Sequence, residues 1–199
     1  MLILFGSDDM FHRLKLVTVG IAALAVSGVA HANEVSAEIE LGSTVIGACS
    51  LGSPNVTEIN LGDLSGPDGL LAASLKVPTT VGTAVIADAW CNTSHRLTIE
   101  GQPMTLETAK PYAQPAYMTR HITFDAKLVG WAAPVGFRPR SGSDQAFLEW
   151  PEARAAPAAG LRLDISKLET LTAARAEQPN LMLEAGSYRG RVTVTLATN

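Results

Sequence analysis

The chain has 199 residues and a formal net charge of −4, from 15 Lys and Arg against 19 Asp and Glu. A weakly acidic chain without a basic cluster lacks the electrostatic footprint of a nucleic-acid-binding protein, so we expect no nucleic-acid partner. Only two cysteines are present, which excludes a disulfide-dense scaffold and a multi-cysteine metal site.

The first 32 residues have the three parts of a secretory signal peptide. A positive region with Arg13 and Lys15 precedes an uncharged, mostly apolar run over residues 16–29, and residues 30–32 read Ala-His-Ala, a signal-peptidase pattern. The apolar run of about 14 residues is short for a membrane span, which needs about 20. We therefore expect cleavage after position 32, export through the inner membrane and no membrane insertion; whether translation starts at the first residue or at Met10 stays open.

Removal of the signal leaves 167 residues, which fit one domain. Their first segment, residues 33–42, alternates between apolar and polar positions. The apolar members are Val35, Ala37, Ile39 and Leu41, and the polar members between them are Ser36, Glu38 and Glu40. This period of two predicts a strand with one apolar face. From the residues alone, it could be the first strand of a complete sandwich.

Further along the chain the same alternation predicts a series of short strands. They cover residues 43–48, 57–64, 84–90, 96–100, 121–131, 147–150 and 161–165. Clusters of Gly, Pro, Asn and Asp separate them, as expected for turns. Residues 105–117 are predicted to be a long loop, and residues 166–176 could form a helical turn or two, although propensity is a weak signal. Short strands at this spacing predict an all-β sandwich.

The two cysteines, Cys49 and Cys91, both lie in the exported part of the chain. An oxidising compartment favours a disulfide between them. Closing a loop of about 42 residues would stabilise the fold by roughly 4 kcal/mol in the chain-entropy model. Two buried free thiols are the alternative.

The chain ends in a strongly alternating segment. Its apolar face consists of Tyr188, Val192, Val194 and Leu196, and its polar face of Arg189, Arg191, Thr193 and Thr195. No residues follow Asn199, where a complete antiparallel sandwich would place one more strand. We expect an incomplete sandwich with an open side next to this strand; an ordinary edge strand is the alternative.

The sequence contains no recognisable catalytic motif. After cleavage the histidines are His95 and His121; neither has metal-ligand spacing, and both are interpreted as solvated residues. Gly-x-Ser-x-Gly elbows and Gly-rich phosphate loops are absent. We expect no enzyme activity, no catalytic residue, no metal site and no cofactor. A glycosidase-like carboxylate pair stays open, because such pairs meet only in three dimensions.

Three tryptophans are candidates for stacking on sugar rings. Trp90 precedes Cys91 and is expected in the core against the disulfide, whereas Trp131 and Trp150 lie near loops and are expected at the surface. These rings keep open an alternative function, that of a free-standing secreted or periplasmic β-sandwich binding protein, lectin-like or adhesin.

Five segments in this order resemble a known family. They are Val45-Ile46-Gly47-Ala48-Cys49, Ile59-Asn60-Leu61-Gly62-Asp63-Leu64, Ala87-Asp88-Ala89-Trp90-Cys91, Arg96-Leu97-Thr98-Ile99 and Ala185-Gly186-Ser187-Tyr188. In order and spacing they resemble the spore coat protein U domain, the subunit type of archaic chaperone-usher pili. The resemblance is strongest in the first third and the last fifteen residues of the exported chain.

The resemblance implies an immunoglobulin-like β-sandwich of pilin type over residues 43–199 that lacks its last strand. The groove beside the final strand would be filled by the N-terminal extension of the next subunit, with residues 33–42 as the donor. The inserted side chains would be Val35, Ala37, Ile39 and Leu41, and the acceptor strand would present Tyr188, Val192, Val194 and Leu196.

The same resemblance implies the partners and the location. The partners would be neighbouring pilus subunits, a periplasmic chaperone that lends a temporary strand, and an outer-membrane usher. The chain would pass through the periplasm to the cell surface as a pilus subunit that supports adhesion and biofilm formation. Whether it is a major or a minor subunit, and which surface the pilus binds, stay open.

Overall fold

The computed structural model describes residues 43–108, 111–142 and 144–199. The predicted signal peptide (1–32) and donor extension (33–42) lie outside these residues. The strands are β1 Cys49–Ser50, β2 Thr80–Ile86, β3 Trp90–Cys91, β4 His95–Leu106, β5 Met118–Thr119, β6 His121–Val129, β7 Val135–Phe137, β8 Asp144–Trp150, β9 Arg154–Ala155, β10 Leu161–Leu171, β11 Met182–Leu183 and β12 Tyr188–Thr198. One 3₁₀ turn covers Ala73–Leu75, and within the described residues no helix has the length and apolarity to span a membrane. The predicted all-β class is confirmed.

The long strands form two antiparallel layers that share a corner. One layer has the order β2–β10–β6 and the other the order β12–β4–β8. At the corner, Met104 and Thr105 of β4 pair with Ile122 and His121 of β6. Away from the corner, the edge of β4 that pairs with β6 pairs with β8 instead, and the edge of β6 that pairs with β4 pairs with β7 instead. The two layers therefore separate. This arrangement is consistent with a β-sandwich.

Alternate side chains of the central strands fill the space between the layers. The most deeply buried apolar residues are Leu97 and Ile99 on β4, Ile122 and Leu128 on β6, and Leu161, Leu168 and Leu171 on β10. In β4 the odd-numbered residues face the core and in β6 the even-numbered ones do, as the alternation in the sequence predicted.

The disulfide between Cys49 and Cys91 is confirmed. The two residues are directly opposite each other in the β1–β3 pair, with Cα atoms 4.1 Å apart. Strand β3 also pairs with β9, so a small three-stranded sheet closes this end of the sandwich. We refer to it as the disulfide pole.

Two predicted strands, 43–48 and 57–64, do not form. Residues 43–48 precede β1 without joining a ladder, and residues 57–64 run across β2 instead. Ile59 and Leu61 pack onto Gly82, where a Cβ atom would lie only 2.3 Å from the Ile59 Cγ2 atom. The alternation at 59 and 61 therefore reflects two apolar side chains that face one surface, without the main-chain pairing of a strand.

The helical turn predicted within residues 166–176 is also wrong. Strand β10 continues to Leu171 through an irregularity near Lys167, whose φ is 44°. Leu168 and Leu171 are fully buried, so core packing outweighs local helix propensity. A turn follows, closed by the Thr172 amide donating to the Ala176 carbonyl oxygen at 2.8 Å.

Candidate strand-acceptor edge

Strand β12 is the outermost strand of its layer. It pairs with β4 from Tyr188 opposite Leu106 to Thr198 opposite His95. The structure places the four predicted acceptor residues, Tyr188, Val192, Val194 and Leu196, on the inner face, where each is partly buried against the core. The alternate residues face outward and are exposed.

The second edge of β12 forms no ladder with any strand of the described residues. Just beyond β12, the Asn199 amide donates to the carbonyl oxygen of Ser94, the residue before β4, at 3.2 Å. In an antiparallel pair, hydrogen-bonded and non-hydrogen-bonded residue pairs alternate. Because Asn199 is hydrogen-bonded to Ser94, the odd-numbered residues of β12 direct their main-chain groups towards β4. The amides and carbonyls of Val192, Val194 and Leu196 therefore point away from β4, towards the open side.

Burial falls sharply from β4 to β12. Leu97 and Ile99 on β4 are 1% and 0% exposed, whereas their direct neighbours Leu196 and Val194 remain partly exposed. An apolar inner face that loses its cover one strand out from the centre is the shape that an added strand would complete.

At the opposite end of the sheet, the outer edge of β2 has main-chain partners. Residues 54 and 55 cover the outer edge of β2 near its C-terminal end: the Asn55 amide donates to the Val85 carbonyl and the Val85 amide donates to Asn55 Oδ1, both at 2.7 Å. Pro54 bridges to Ile86 on the same edge. The described chain thus covers the edge of β2 and leaves that of β12 open, although proteins usually protect both.

A bulge shapes the first part of the open edge. Pro103 and Met104 of β4 together oppose Gly190 of β12, and a Cβ atom at Gly190 would lie 2.9 Å from Met104 Cγ. Glycine is required there by this close approach. Next to it, Arg189 and Arg191 line a depression of about 320 Å³.

A hydrogen-bonded cluster anchors the start of β12. The Tyr188 hydroxyl lies 2.8 Å from the Glu184 carbonyl oxygen and 3.0 Å from that of Thr119. The buried Glu184 carboxylate accepts hydrogen bonds from the Tyr112 hydroxyl at 2.6 Å and from Arg120 Nε at 2.5 Å. Burial raises the pKa of Tyr188 to about 12, so the ring stays a neutral hydrogen-bond donor.

His121 lies at the corner beside this cluster. Burial, reinforced by the positive charges of Arg175 and Arg120, lowers its pKa from 6.5 to about 4. The unfolded chain therefore binds more protons between these values, so stability is full above pH 6.5 and falls as the pH drops towards 4.

We expect the wild-type free energy of unfolding to decrease by about 1 to 2 kcal/mol between pH 7 and pH 4.5, less than the full shift implies because the ring is partly exposed. His121→Gln should flatten that part of the profile. Denaturant titrations at the two pH values measure the difference; equal slopes for both proteins would show that another group controls the acid response.

Three sequence-based interpretations of aromatic and histidine residues are wrong. His95 and Trp131 are both buried: Trp131 Nε1 donates to His95 Nε2 at 3.0 Å, and His95 Nδ1 lies 2.9 Å from the Thr93 carbonyl oxygen. Trp90, expected in the core, is 41% exposed. Successive strand residues point to opposite faces, so burial of Cys91 turns Trp90 outward.

Seven of the fourteen described carboxylates form ion pairs with arginines. Asp125, Glu169 and Glu177 converge on Arg138, with Asp125 Oδ1 2.7 Å from its Nε atom. Among the described residues no group of three His, Cys, Asp or Glu has metal-binding geometry.

Comparison with known proteins adds no family. No protein-family model, curated protein or solved structure matches the chain. The open edge of β12 and its partly exposed apolar face are therefore the observations from which a function can be inferred. The proposed donor residues, Val35, Ala37, Ile39 and Leu41, lie outside the described residues.

Proposed function

We propose that the protein is a structural subunit of a chaperone-usher pilus that assembles by donor-strand exchange. The observation that carries this proposal is the edge of β12, where the main chain pairs with no strand of the described residues and runs beside a partly exposed apolar face. An extended segment added there would gain ladder hydrogen bonds and would insert alternate side chains between the layers.

The strand order supports an immunoglobulin-like sandwich. With β2, β4, β6, β10 and β12 named B to F in chain order, the pairs B–E, E–D and C–F are present; β8, which is as long as β2, adds a strand beside β4, and a short C–D pair joins the layers at the corner. In the immunoglobulin fold, strands A, B, E and D form one sheet, and strands C, F and G form the other. The open edge of β12 corresponds to the edge of strand F at which strand G pairs.

A tyrosine contact supports the same correspondence. Immunoglobulin-like domains carry a tyrosine near the start of strand F whose hydroxyl bonds to the backbone a few residues upstream. Tyr188 is the first residue of β12, and its hydroxyl is 2.8 Å from the carbonyl oxygen of Glu184.

Residues 33–42 have the composition of a donor for this edge. Burying Val35, Ile39 and Leu41 at roughly 1.5 to 3 kcal/mol each gives about 5 to 9 kcal/mol gross, before ladder hydrogen bonds and ordering costs. A subunit with an open groove of this size depends on a partner, which would be a periplasmic chaperone during transit, an outer-membrane usher at export and a neighbouring subunit in the fibre.

We expect Ile39→Asp to fold and to fail in assembly, because a charge would have to enter an apolar groove. The matched control is Glu38→Asp, which keeps its charge on the polar face of the same segment. Oligomer distributions of the purified exported chains, measured by size-exclusion chromatography with light scattering, separate the two. Fibres of normal length from Ile39→Asp would contradict the donor assignment.

A free-standing secreted binding protein is the second candidate function. It is favoured by exposed aromatic rings in one loop: Tyr112 is 51% exposed and Tyr117 is 64% exposed. Such rings stack on sugars or other flat apolar ligands. A stable monomeric wild-type chain would favour this candidate over the pilus subunit.

A further inference from the structure

Arg191 is an unpaired cation on the outer face of β12. It is exposed and makes no ion pair with any residue that the structure describes. The neighbouring Arg189 is held by Glu107 at 3.0 Å, and Arg96 on β4 is held by Glu149. Of these three arginines, Arg191 is therefore the one without an acidic partner among the described residues, and it could pair with an acidic residue of an incoming strand.

The length and pattern of residues 33–42 fit an antiparallel alignment on this edge. The segment has ten residues and β12 has eleven, from Tyr188 to Thr198. An antiparallel alignment places Asn33 opposite Thr198 and Gly42 opposite Arg189. The inner pairs are then Val35 with Leu196, Ala37 with Val194, Ile39 with Val192, and Leu41 with the space above Gly190.

This alignment also satisfies the main chain. The free amides and carbonyls belong to the even-numbered residues of β12, and each of these faces an odd-numbered residue of the segment. On the outer face it places Glu40 directly beside Arg191 and Glu38 beside Thr193.

We propose that Arg191 pairs with Glu40 of a second copy of this chain when that strand is added to β12. The inference rests on the proposed function and adds a specificity-determining ion pair to it. A shift of two residues along β12 would pair Glu38 with Arg191 and Leu41 with Tyr188, but would leave Leu196 opposite Asn33. The proposed register covers Leu196 and leaves Tyr188 without a donor residue, and charge reversal at positions 38 and 40 separates the two registers.

In this antiparallel register the donor belongs to a second copy, because the chain's own segment cannot reach that position. Residues next to β1 are held at the disulfide pole, where Asn92 Nδ2 donates to the Ile46 carbonyl at 3.1 Å. Gly42 lies four residues before Ile46 and can extend about 14 Å from it. In the proposed register Gly42 sits ten residues from Asn199, about 34 Å from that pole.

The register also determines how copies connect. The body of the donor copy begins at the Arg189 end of the acceptor's β12, whereas the acceptor's own extension leaves from the disulfide pole. Each contact is then head-to-tail, and repetition gives an open linear fibre.

Charge reversal tests the pair with the full exported chain. R191E and E40R should each slow assembly about tenfold, because an attraction is replaced by a repulsion of similar size. An equimolar mixture of the two should recover, since each donor then meets an acceptor of opposite charge, and the double variant should recover as well. Circular dichroism of each variant checks that the fold is retained.

The controls are E38R and E34R, which make the same charge change at other outward positions. They should assemble within about twofold of wild type. Loss of assembly in E38R with normal E40R would show the register shifted by two residues. Recovery in the double variant without recovery in the mixture would show a contact within one chain. Either result, or unchanged assembly of R191E, overturns the pairing while wild-type assembly upholds the proposed function; a wild-type chain that never assembles overturns both.

Discussion

Moving residues 33–42 from the start of the exported chain to follow Asn199 is expected to produce a monomer with a much higher melting temperature. A short turn containing Asn-Gly after Asn199 would return the segment antiparallel along β12. Its apolar side chains would then fill the space beside Val192, Val194 and Leu196 within one molecule.

The expected rise is about 10 °C or more. A few kcal/mol remain from the gross gain of the inserted side chains after ordering costs, and each kcal/mol shifts the melting temperature of a domain of this size by about 2–4 °C. Oligomers should disappear at the same time, because the donor is no longer available to a neighbour.

The matched control carries the same transplanted segment with Ile39→Asp, which keeps length and linker but places a charge in the groove. Differential scanning calorimetry and light scattering compare the two. If the original chain is already a stable monomer and the rearranged chain melts no higher, the sandwich is complete without a donor, and a free-standing secreted protein becomes the better interpretation.

Replacing both cysteines by alanine is expected to lower the free energy of unfolding by about 4 kcal/mol. The bond between Cys49 and Cys91 closes a loop with a sequence separation of 42, and the chain-entropy model assigns such a loop roughly that value. This is a large share of the 5–15 kcal/mol typical of a domain. It also unties β1, whose described strand pairing is to β3 alone.

Denaturant unfolding with and without a reductant measures this effect. Reductant should weaken the wild-type protein to nearly the level of the double variant and should leave the variant unchanged. Equal stability of the wild-type protein in both conditions would show that the crosslink contributes little to folding.

Local alternation predicted the strands whose side chains face one core. The strand predicted over residues 121–131 begins where predicted and ends two residues earlier, at Val129, and the strand from Tyr188 was assigned in the correct position and phase, since each has a long run of period two. The disulfide followed from export and from a cysteine count of two. These features depend on neighbours in sequence or on the cellular compartment, so they need no knowledge of distant contacts.

Features that depend on residues far apart in the chain were not predictable in the same way. His95 is buried because Trp131, 36 positions away, donates to it. Strand β4 extends to Leu106 because β12 supplies partners beyond the alternating segment. Residues 57–64 look like a strand and instead cover β2 without pairing. Local pattern gives the face of a side chain, but only tertiary packing says what lies against that face.

The sequence by itself determined that this chain is all-β, carries one disulfide and contains two segments, 33–42 and 188–198, with matching apolar faces. Only the tertiary structure decided that the second of these lies at an edge that pairs with no strand of the described residues, while residues 54 and 55 cover the opposite edge of the sheet at Val85 and Ile86. The physical reason is that alternation records which side chains are apolar, whereas edge pairing is a long-range hydrogen-bonding choice that no single segment encodes.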